Sequence, residues 1–458
     1  MLRWAKRTTI LIYFIILSVV LTGCTIPIIG VEVSFPEWVP FVGGESRSPV
    51  TLKYWGLWEP AAVMQPIFDS FKSQREFVSV DYQVRDPRQH LETVMSHFEV
   101  GNPPDIVRVH STWLPYIKDG LEPLPEDILP ISDFVNSVYP VVSEQVIFDG
   151  QVYGVPLGID GLSLVYNENL FDGAGISSPP ADWDTFRSDA RELTIKNTRG
   201  EIVQGGAAMG YGTQIEYFSD ILGLMFAQSG VTFKGQDGAV SFHNSLSSDG
   251  RNLGVEALKF YAKFGSTEQS YNPNWSNSTQ AFIEGKVGMI FVPSYRLNDI
   301  QNANPPFTVR VAPVPQFPSA STSVGEKNWA SFWVEVVPKA GQRPREAWRL
   351  LTYMLQRDPL STLYRNQAEL RGFGEIYPRP DLAQTLEADP RLEPYVSQAP
   401  TYTSWPFADM THDELLNDKV ISALNEAVNQ TRISSEAAEG ALNGAAEKVE
   451  LALQEITP

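Results

Sequence analysis

Polar and aromatic side chains follow two predicted strands in the N-terminal half of the chain. Trp58 and Glu59 come after an alternating apolar run, and His110 and Trp113 come after a predicted strand at 105–109. Indole rings stack on flat apolar ligand faces, whereas glutamate and histidine form hydrogen bonds with polar groups. Because ligands of α/β sheets bind beyond the carboxyl ends of the strands, these four side chains predict a small-molecule site.

The elements that position these residues alternate between the period of a strand and that of a helix. Strands are predicted at 50–54, 78–84 and 105–109, with helices at 63–71 and 91–98 between them. This order predicts an α/β fold, doubly wound around a mostly parallel sheet. Later in the chain, Ser278 is predicted to cap a short helix, and the capping-box pattern Thr411–Glu414 to begin the C-terminal helices.

Signatures of catalysis are missing from the sequence. It has no P-loop, HExxH, GxSxG, CxxC or EF-hand pattern, and only five histidines. Among 54 acidic side chains a pair suited to glycoside hydrolysis always exists on paper, so its presence carries no information. We therefore predict a binding protein with no catalytic residue, no metal and no cofactor.

Composition and charge exclude further classes of protein. At 458 residues and 43% hydrophobic content, the chain has room for two or three domains or one bilobal unit, which rules out wholesale disorder. Its net charge is −19 and no basic run interrupts the acidity, so we expect no nucleic-acid partner. Cys24 is the only cysteine, which excludes an intrachain disulfide.

The N-terminus has the organisation of a targeting segment. Three basic residues precede an apolar run of about a dozen residues, which is short for a membrane span. The run ends in Leu21-Thr-Gly-Cys24, which resembles a bacterial lipobox and predicts a signal peptide over 1–23 and lipidation of Cys24. An uncleaved anchor helix with an incidental cysteine is the alternative. Residues 24–49 are predicted to form a proline-rich, apolar tether.

Four segments resemble the extracellular solute-binding proteins of bacterial ABC importers, in particular the carbohydrate-binding family that includes maltose-binding protein. They are Pro103–Ile106, Asp149–Phe171, Pro179–Phe186 and Phe282–Met289. Their order and spacing extend the resemblance from about residue 50 to about residue 450, essentially the whole chain after the tether.

This resemblance implies a periplasmic-binding-protein-like fold of type II. Two doubly wound α/β lobes would be joined by crossover hinge strands, with a ligand cleft between the lobes. Lobe I would take 50–158 plus 291–338, and lobe II 159–290 plus 339–458. The hinges would lie near 158–160, 291–294 and 338–344.

The resemblance also implies a function. The chain would capture a solute, first of all a mono- or oligosaccharide, and deliver it by hinge closure to the transmembrane subunits of an ABC permease. We expect a monomer held by the lipid on Cys24 at the outer face of the cytoplasmic membrane, or in the periplasm of a two-membrane cell.

Candidate ligand-binding residues combine side-chain chemistry with the positions that the resemblance implies. Asp160 stands where relatives place a hinge carboxylate, and Tyr295 where many relatives carry tryptophan. The full set is Trp58, Glu59, His110, Trp113, Asp160, Tyr211, Tyr217, Trp275, Tyr295, Trp329, Arg371 and Trp405. Burial in the core is the alternative for each aromatic residue, and a role in pinning a turn is the alternative for Arg371.

Other functions remain open at this point. The solute could instead be a polyamine, a peptide or glycerol phosphate. An anionic solute would call for arginine in the cleft, and Arg108 and Arg296 are the candidates. A surface glycoside hydrolase or esterase and an adhesive lipoprotein are the alternatives from other classes.

Overall fold

The computed structural model describes residues 48–235, 239–317 and 324–456. The predicted signal peptide, the lipidation site Cys24 and all but the last two residues of the predicted tether lie outside the described residues. The described residues from Thr51 onward group into one compact unit by their contacts.

Strands alternate with helices along the described residues. The strands are β1 (Val50–Gly56), β2 (Val78–Val84), β3 (Ile106–His110), β4 (Ile147–Phe148), β5 (Gln151–Val152), β6 (Asp160–Gly161), β7 (Ser163–Asn167), β8 (Ile195–Lys196), β9 (Ile202–Ala207), β10 (Val287–Val292), β11 (Val309–Ala312), β12 (Asn328–Ser331), β13 (Trp333–Val336) and β14 (Tyr402–Thr403).

The α-helices of the described residues surround these strands. They are α1 (Ala61–Gln74), α2 (His90–Glu99), α3 (Leu114–Ile117), α4 (Ile131–Ser137), α5 (Pro140–Val146), α6 (Glu168–Ala174), α7 (Trp183–Leu193), α8 (Phe218–Gln228), α9 (Leu253–Lys263), α10 (Ser278–Ile283), α11 (Arg296–Asn302), α12 (Pro344–Met354), α13 (Arg357–Arg371), α14 (Glu393–Gln398), α15 (Asn417–Ile433) and α16 (Ala438–Ile456). None of the helices in the described residues is long and apolar enough to cross a membrane.

The first sheet has the strand order β13-β3-β1-β2. Every residue of β3 is buried, as expected of a central strand. β1 runs parallel to β3, and β13 runs antiparallel to it with Trp333 opposite His110. This register places Trp333 at the carboxyl end of β3, where the residues that follow β1 also emerge.

The second sheet has the order β11-β7-β10-β9-β8. Its centre is β10, with six buried residues, which pairs parallel with β9 and antiparallel with β7. β11 and β8 also pair antiparallel with their neighbours. The sheet is therefore mixed, whereas the sequence predicted mostly parallel pairing, because apolar alternation indicates a strand but not the direction of its partner.

A small third sheet, β14-β12-β6, contains the three segments where the chain passes between the two main sheets. In it Ser331 of β12 pairs with Asp160 of β6, and Asn328 pairs with Tyr402 of β14. The predicted hinge at 158–160 coincides with β6. The other two crossings lie at β12 and β14, away from the predicted hinges at 291–294 and 338–344.

The contacts of β11 and of two helices bear on the predicted lobe boundaries. β11 pairs with β7 of the second sheet, although lobe I was predicted to include 291–338. α12 and α13 pack against α1 of the first sheet, although they fall in the predicted lobe II. Pairing and packing therefore favour assigning 309–312 to lobe II and 344–371 to lobe I.

Two predicted helix starts differ from the structure. α10 is capped by Asn277, whose side chain accepts a hydrogen bond from the Gln280 amide, and not by Ser278. The pattern Thr411–Glu414 does not form a capping box, since α15 begins at Asn417. The Asp413 carboxylate accepts the Leu416 and Asn417 amides instead.

Candidate functional site

A cavity of about 400 Å³ lies where the two main sheets meet the small sheet. Its volume is in the range of small-molecule sites in proteins, roughly 300–1,000 Å³. The first sheet contributes Trp58 after β1 and two residues of β3, and the second sheet contributes residues at the start of α8 and residues that follow β10. The crossover segments 157–162 and 329–333 form its floor, and the loop Asp409–His412 closes one side.

Seven of the twelve predicted ligand-binding residues line this cavity. They come from both main sheets and from the crossover segments, which are distant in sequence. The seven are Trp58, His110, Asp160, Tyr217, Tyr295, Trp329 and Arg371.

Two other predicted residues lie behind the cavity wall. Glu59 is only 3% exposed and forms an ion pair with Arg108, which itself lines the cavity. Trp113 is fully buried, and its indole N–H donates to the Asp413 carboxylate over 2.9 Å. Its ring also meets that of the cavity residue Trp333 at 5.3 Å, so Glu59 and Trp113 both contact cavity residues without lining the cavity.

The remaining three predicted residues belong to other parts of the fold. Tyr211 is buried and its hydroxyl donates to the Gly265 carbonyl. Trp405 stacks on Phe226 in the core, and Trp275 is half-buried in a loop, outside the cavity lining. Tyr211 and Trp405 are therefore core residues, the alternative to ligand binding for an aromatic side chain.

Aromatic rings form one wall of the cavity at the carboxyl end of the first sheet. Trp58, 43% exposed, meets Trp333 edge-to-face at 5.9 Å between ring centroids. His110 also packs edge-to-face on Trp333, at 5.1 Å. The Thr112 amide donates to Nδ1 of His110, which leaves Nε2 to donate to the Ser331 hydroxyl at 3.1 Å. Burial lowers the pKa of His110 to about 3, so its imidazole is neutral near pH 7.

Two tyrosines form the opposite wall. Tyr217 precedes α8 in a left-handed backbone conformation, with φ 62°, that non-glycine residues seldom adopt. Its phenol oxygen lies 2.7 Å from that of Tyr295, which precedes α11. Burial raises the pKa of both phenols, so both remain neutral hydrogen-bonding groups near pH 7.

Asp160 sits in the floor of the cavity on β6. Its carboxylate accepts hydrogen bonds from the Gly161 and Ser294 amides at 2.8 and 3.0 Å and from the Ser294 hydroxyl at 2.8 Å. Burial raises its pKa to about 6, although these hydrogen bonds act in the opposite direction. Asp160 thus ties the first crossover segment to the turn that follows β10.

Arg108, on the buried strand β3, sits between two carboxylates. It forms ion pairs with Glu59 and with Glu335 of the neighbouring strand β13, the latter at 2.6 Å. The amide of Gln367 also donates to Glu59, at 3.0 Å. All three charged side chains are at most 4% exposed, so their charges depend on one another for compensation.

Two further carboxyl groups line the side formed by α8 and the loop after β14. Asp220 is 3% exposed, and its Oδ1 accepts the backbone amide of Asp409 at 3.0 Å. Burial is the main cause that raises the pKa of both carboxyls, and it raises the pKa of Asp409 to about 6. The negative charge of Asp409 raises the pKa of Asp220 further. Neither forms an ion pair within the described part of the chain.

The other two cavity arginines are paired with acids. Arg296 forms a bidentate pair with Glu216, at 2.9 and 3.0 Å, and a second pair with Asp299. Arg371, the last residue of α13, lies 3.5 Å from Glu375, four residues further along the chain.

The loop from Asp409 to Asn417 connects the two sides of the cavity. At one end the Asp409 amide donates to Asp220 on α8, and at the other Asp413 accepts the indole N–H of Trp113, which follows β3. The Asn417 side chain also donates to the Thr112 hydroxyl, at 3.1 Å. This loop therefore hydrogen-bonds to residues of both predicted lobes.

Several cavity residues were not among the twelve predicted. The sequence around Asp220 did indicate a special position, because this acid stands in an otherwise mostly apolar segment. That segment forms α8, in which every residue is buried. Arg108, a cation within a buried strand, had a similar signal and was considered only for an anionic solute. The loop 409–412 had none, because its two left-handed residues, Met410 and His412, are not glycines.

Comparison with known proteins relates this geometry to one family. The sequence profile described as "Bacterial extracellular solute-binding protein" matches residues 93–359, more than half of the chain. A binding protein of Brucella abortus (strain 2308) is 24% identical over 324 residues, which is 68% of this chain and 74% of that protein. The maltodextrin-binding protein MdxE of Bacillus subtilis is 28% identical over 218 residues, or 46% of this chain and 47% of that protein.

Solved structures share the fold. The cyclic α-maltosyl-1,6-maltose binding protein of Arthrobacter globiformis superposes with a TM-score of 0.71 at 18% identity, over 89% of this chain and all of that one. The sugar-binding protein MalE of Xanthomonas citri also has a TM-score of 0.71, at 19% identity, over 89% of this chain and 98% of the other. The fold is therefore the mixed α/β, two-lobed fold of these binding proteins, with the cavity between the lobes.

Proposed function

The chain belongs to the bacterial extracellular solute-binding protein family, and from that premise we propose that it captures a small saccharide in the cavity for an ABC import system. The observation that carries the proposal is the make-up of the cavity wall. Exposed Trp58 and Tyr295 offer ring faces for the C–H faces of a sugar. Asp160, Asp220 and Asp409 offer acceptors for its hydroxyl groups.

The ligand-binding residues that we propose are the seven predicted residues that line the cavity, together with its other polar lining. Relatives named for maltodextrin and diacetylchitobiose binding support a carbohydrate as the solute. A solute that touches both lobes binds the closed arrangement better and shifts the population toward it. The closed form would then deliver the solute to the transmembrane subunits of a permease.

The remaining parts of the proposal concern location and assembly. Cys24 would carry a lipid that holds the domain in the cell envelope, and the protein would act as a monomer. Relatives and structural neighbours are binding proteins, which supports capture of the solute without chemical change.

The melting temperature of the full chain, in a detergent without a sugar headgroup, tests this function against a ligand panel. The panel contains mono- and oligosaccharides, spermidine, tripeptides and glycerol 3-phosphate. A saccharide at 100 times its Kd adds about 2.7 kcal/mol of stability and raises the melting temperature by a few degrees. A shift with saccharides only is expected. A shift only with glycerol phosphate, peptides or spermidine would contradict the carbohydrate proposal.

A further inference from the structure

Positive charge in the cavity wall is already neutralised by the protein itself. Arg108 faces Glu59 and Glu335, and Arg296 faces Glu216 and Asp299. Two acidic side chains of the protein thus compensate the charge of each of these arginines, which weakens its attraction for an anionic group of a solute.

Arg371, the third cavity arginine, lies 3.5 Å from Glu375. The histidine that faces the cavity from β3, His110, is neutral because burial lowers its pKa to about 3. His412 lies in an exposed position at the rim of the cavity.

Negative charge, in contrast, is left without a cation. Asp160 accepts hydrogen bonds only from backbone amides and a serine hydroxyl. Asp220 and Asp409 lie side by side, joined by the Asp409 amide, and form no ion pair with any described residue. Glu216 and Asp418 add negative potential at Asp409. A carboxylate pair in a cavity is compensated best by a bound cation, since hydroxyl groups supply hydrogen bonds but no charge.

A second, independent feature lies beside this pair. The indole N–H of Trp329 has no hydrogen-bond partner among the described residues, and its side chain is only 1% exposed. Trp329 lines the cavity, and its N–H acts on Asp220 as a hydrogen-bond donor that lowers the pKa of that carboxyl, although no hydrogen bond of full geometry forms. The cavity thus presents a donor without a well-formed hydrogen bond beside two carboxyls that lack a cation, so an occupant that brings an acceptor oxygen and a positive charge would complement both.

We propose that the solute is an amine-bearing saccharide, with its ammonium group between Asp220 and Asp409 and a neighbouring hydroxyl oxygen accepting the Trp329 N–H. This inference rests on the proposed function and narrows it from saccharides in general to those with an ammonium group beside a hydroxyl. The rings of Tyr217 and Tyr295 add aromatic faces, which attract a cation.

Titration calorimetry with matched sugars tests the inference on the full chain at pH 7.5. The probes are glucosamine with glucose, N-acetylglucosamine and glucuronate, and the β-1,4-linked glucosamine disaccharide with cellobiose. We expect each amine to bind at least tenfold more tightly than its neutral counterparts, and glucuronate to bind most weakly.

Isosteric variants test which carboxyl groups cause the preference for the amine. Asp220→Asn and Asp409→Asn should each abolish the preference, so that the affinity for the amine falls to that for the neutral sugar measured on the same variant. Asp189→Asn is the matched control, because burial raises the pKa of Asp189 to about 6 as well but this residue lies outside the cavity lining. This control should keep the preference, and melting curves confirm that each variant is folded.

The outcomes separate the two proposals. If neutral sugars bind as tightly as the amines, or if the aspartate variants keep the preference, the inference is wrong and the proposed function stands. If no saccharide of any charge binds, the proposed function fails together with the inference.

Discussion

The phenol oxygens of Tyr217 and Tyr295 lie 2.7 Å apart and join the residue that precedes α8 to the turn after β10. One hydroxyl donates and the other accepts, so one hydrogen of the pair is left for a ligand. The Tyr295 ring, 40% exposed, also presents a face to the cavity. This pair therefore shapes a wall of the proposed site and supplies a polar group to it.

Removal of one hydroxyl from the pair should weaken binding more than folding. Tyr295→Phe is expected to lower the affinity for the best saccharide about five- to tenfold, because a buried partner hydroxyl loses its bond, and to cost about 1 kcal/mol of unfolding free energy. Titration calorimetry and urea denaturation measure the two effects. Tyr211→Phe, which removes a hydroxyl outside the cavity, is the control and should leave the affinity unchanged.

The ion pairs around Arg108 should matter for stability. Arg108→Met leaves Glu59 and Glu335 buried without a cation, and we expect a loss of about 3–5 kcal/mol in unfolding free energy. Arg251→Met removes an exposed pair with Asp249 and should cost less than about 1 kcal/mol. Equal losses in urea denaturation would contradict the compensating role of Arg108.

Replacement of the Asp413 carboxylate by an amide should destabilise the protein. Its Oδ2 accepts from Trp113, Thr411 and the Asn417 side chain, so Asp413→Asn would place an NH₂ group against converging donors or leave them unpaired. We expect a loss of about 2–4 kcal/mol in urea denaturation. Asp299→Asn, at an exposed acid, should cost less than about 1 kcal/mol. A loss at Asp413 no larger than at Asp299 would show that the loop 409–417 is held by other contacts.

The raised pKa of Asp409 predicts that the unfolding free energies of Asp409→Asn and of the natural chain differ by an amount that depends on pH. Burial raises this pKa to about 6, so the folded protein holds the proton more strongly than the unfolded chain does. The stability linked to this group is fully present below the ordinary aspartate pKa and is lost as the pH rises through about 6. Asp409→Asn should therefore be more stable than the natural chain at pH 7.5, by about 1–3 kcal/mol, and by only about half as much at pH 5.

Urea denaturation of the unliganded protein at both pH values measures this difference. The quantity compared is the unfolding free energy of the variant minus that of the natural chain. Burial lowers the pKa values of His90 and His110, so both histidines destabilise the protein as the pH falls. This effect is the same in both proteins and cancels in the difference. A difference that stays constant from pH 5 to 7.5 would contradict the assigned titration.

Much of the fold follows from local periodicity in the sequence. The apolar alternation of β1 and β2 and the helical stripes of α1 and α2 predicted these elements within a few residues. The same reasoning placed Trp58 and His110 at the cavity, because Trp58 follows β1 and His110 is the last residue of β3, both at the carboxyl edge of the first sheet.

The rest depends on contacts that are distant in sequence. Trp405 and Trp329 are both buried tryptophans, but they have different surroundings. The ring of Trp405 packs on Phe226, whereas the ring of Trp329 lines the cavity. Their sequence neighbourhoods do not reveal which neighbour each ring meets. Similarly, Asp220 and Asp409 are brought together by a loop whose left-handed residues carry no glycine signal.

The central claim is that a saccharide binds against the exposed rings of this cavity, and paired tryptophan variants test it most directly. Titration calorimetry would compare Trp58→Ala and Trp275→Ala with the natural chain, using the saccharide that gives the largest melting shift. We predict one site per chain, with the affinity weakened at least tenfold by Trp58→Ala and unchanged by Trp275→Ala, whose ring lies outside the cavity lining. An unchanged affinity in Trp58→Ala, or a loss confined to Trp275→Ala, would contradict the account.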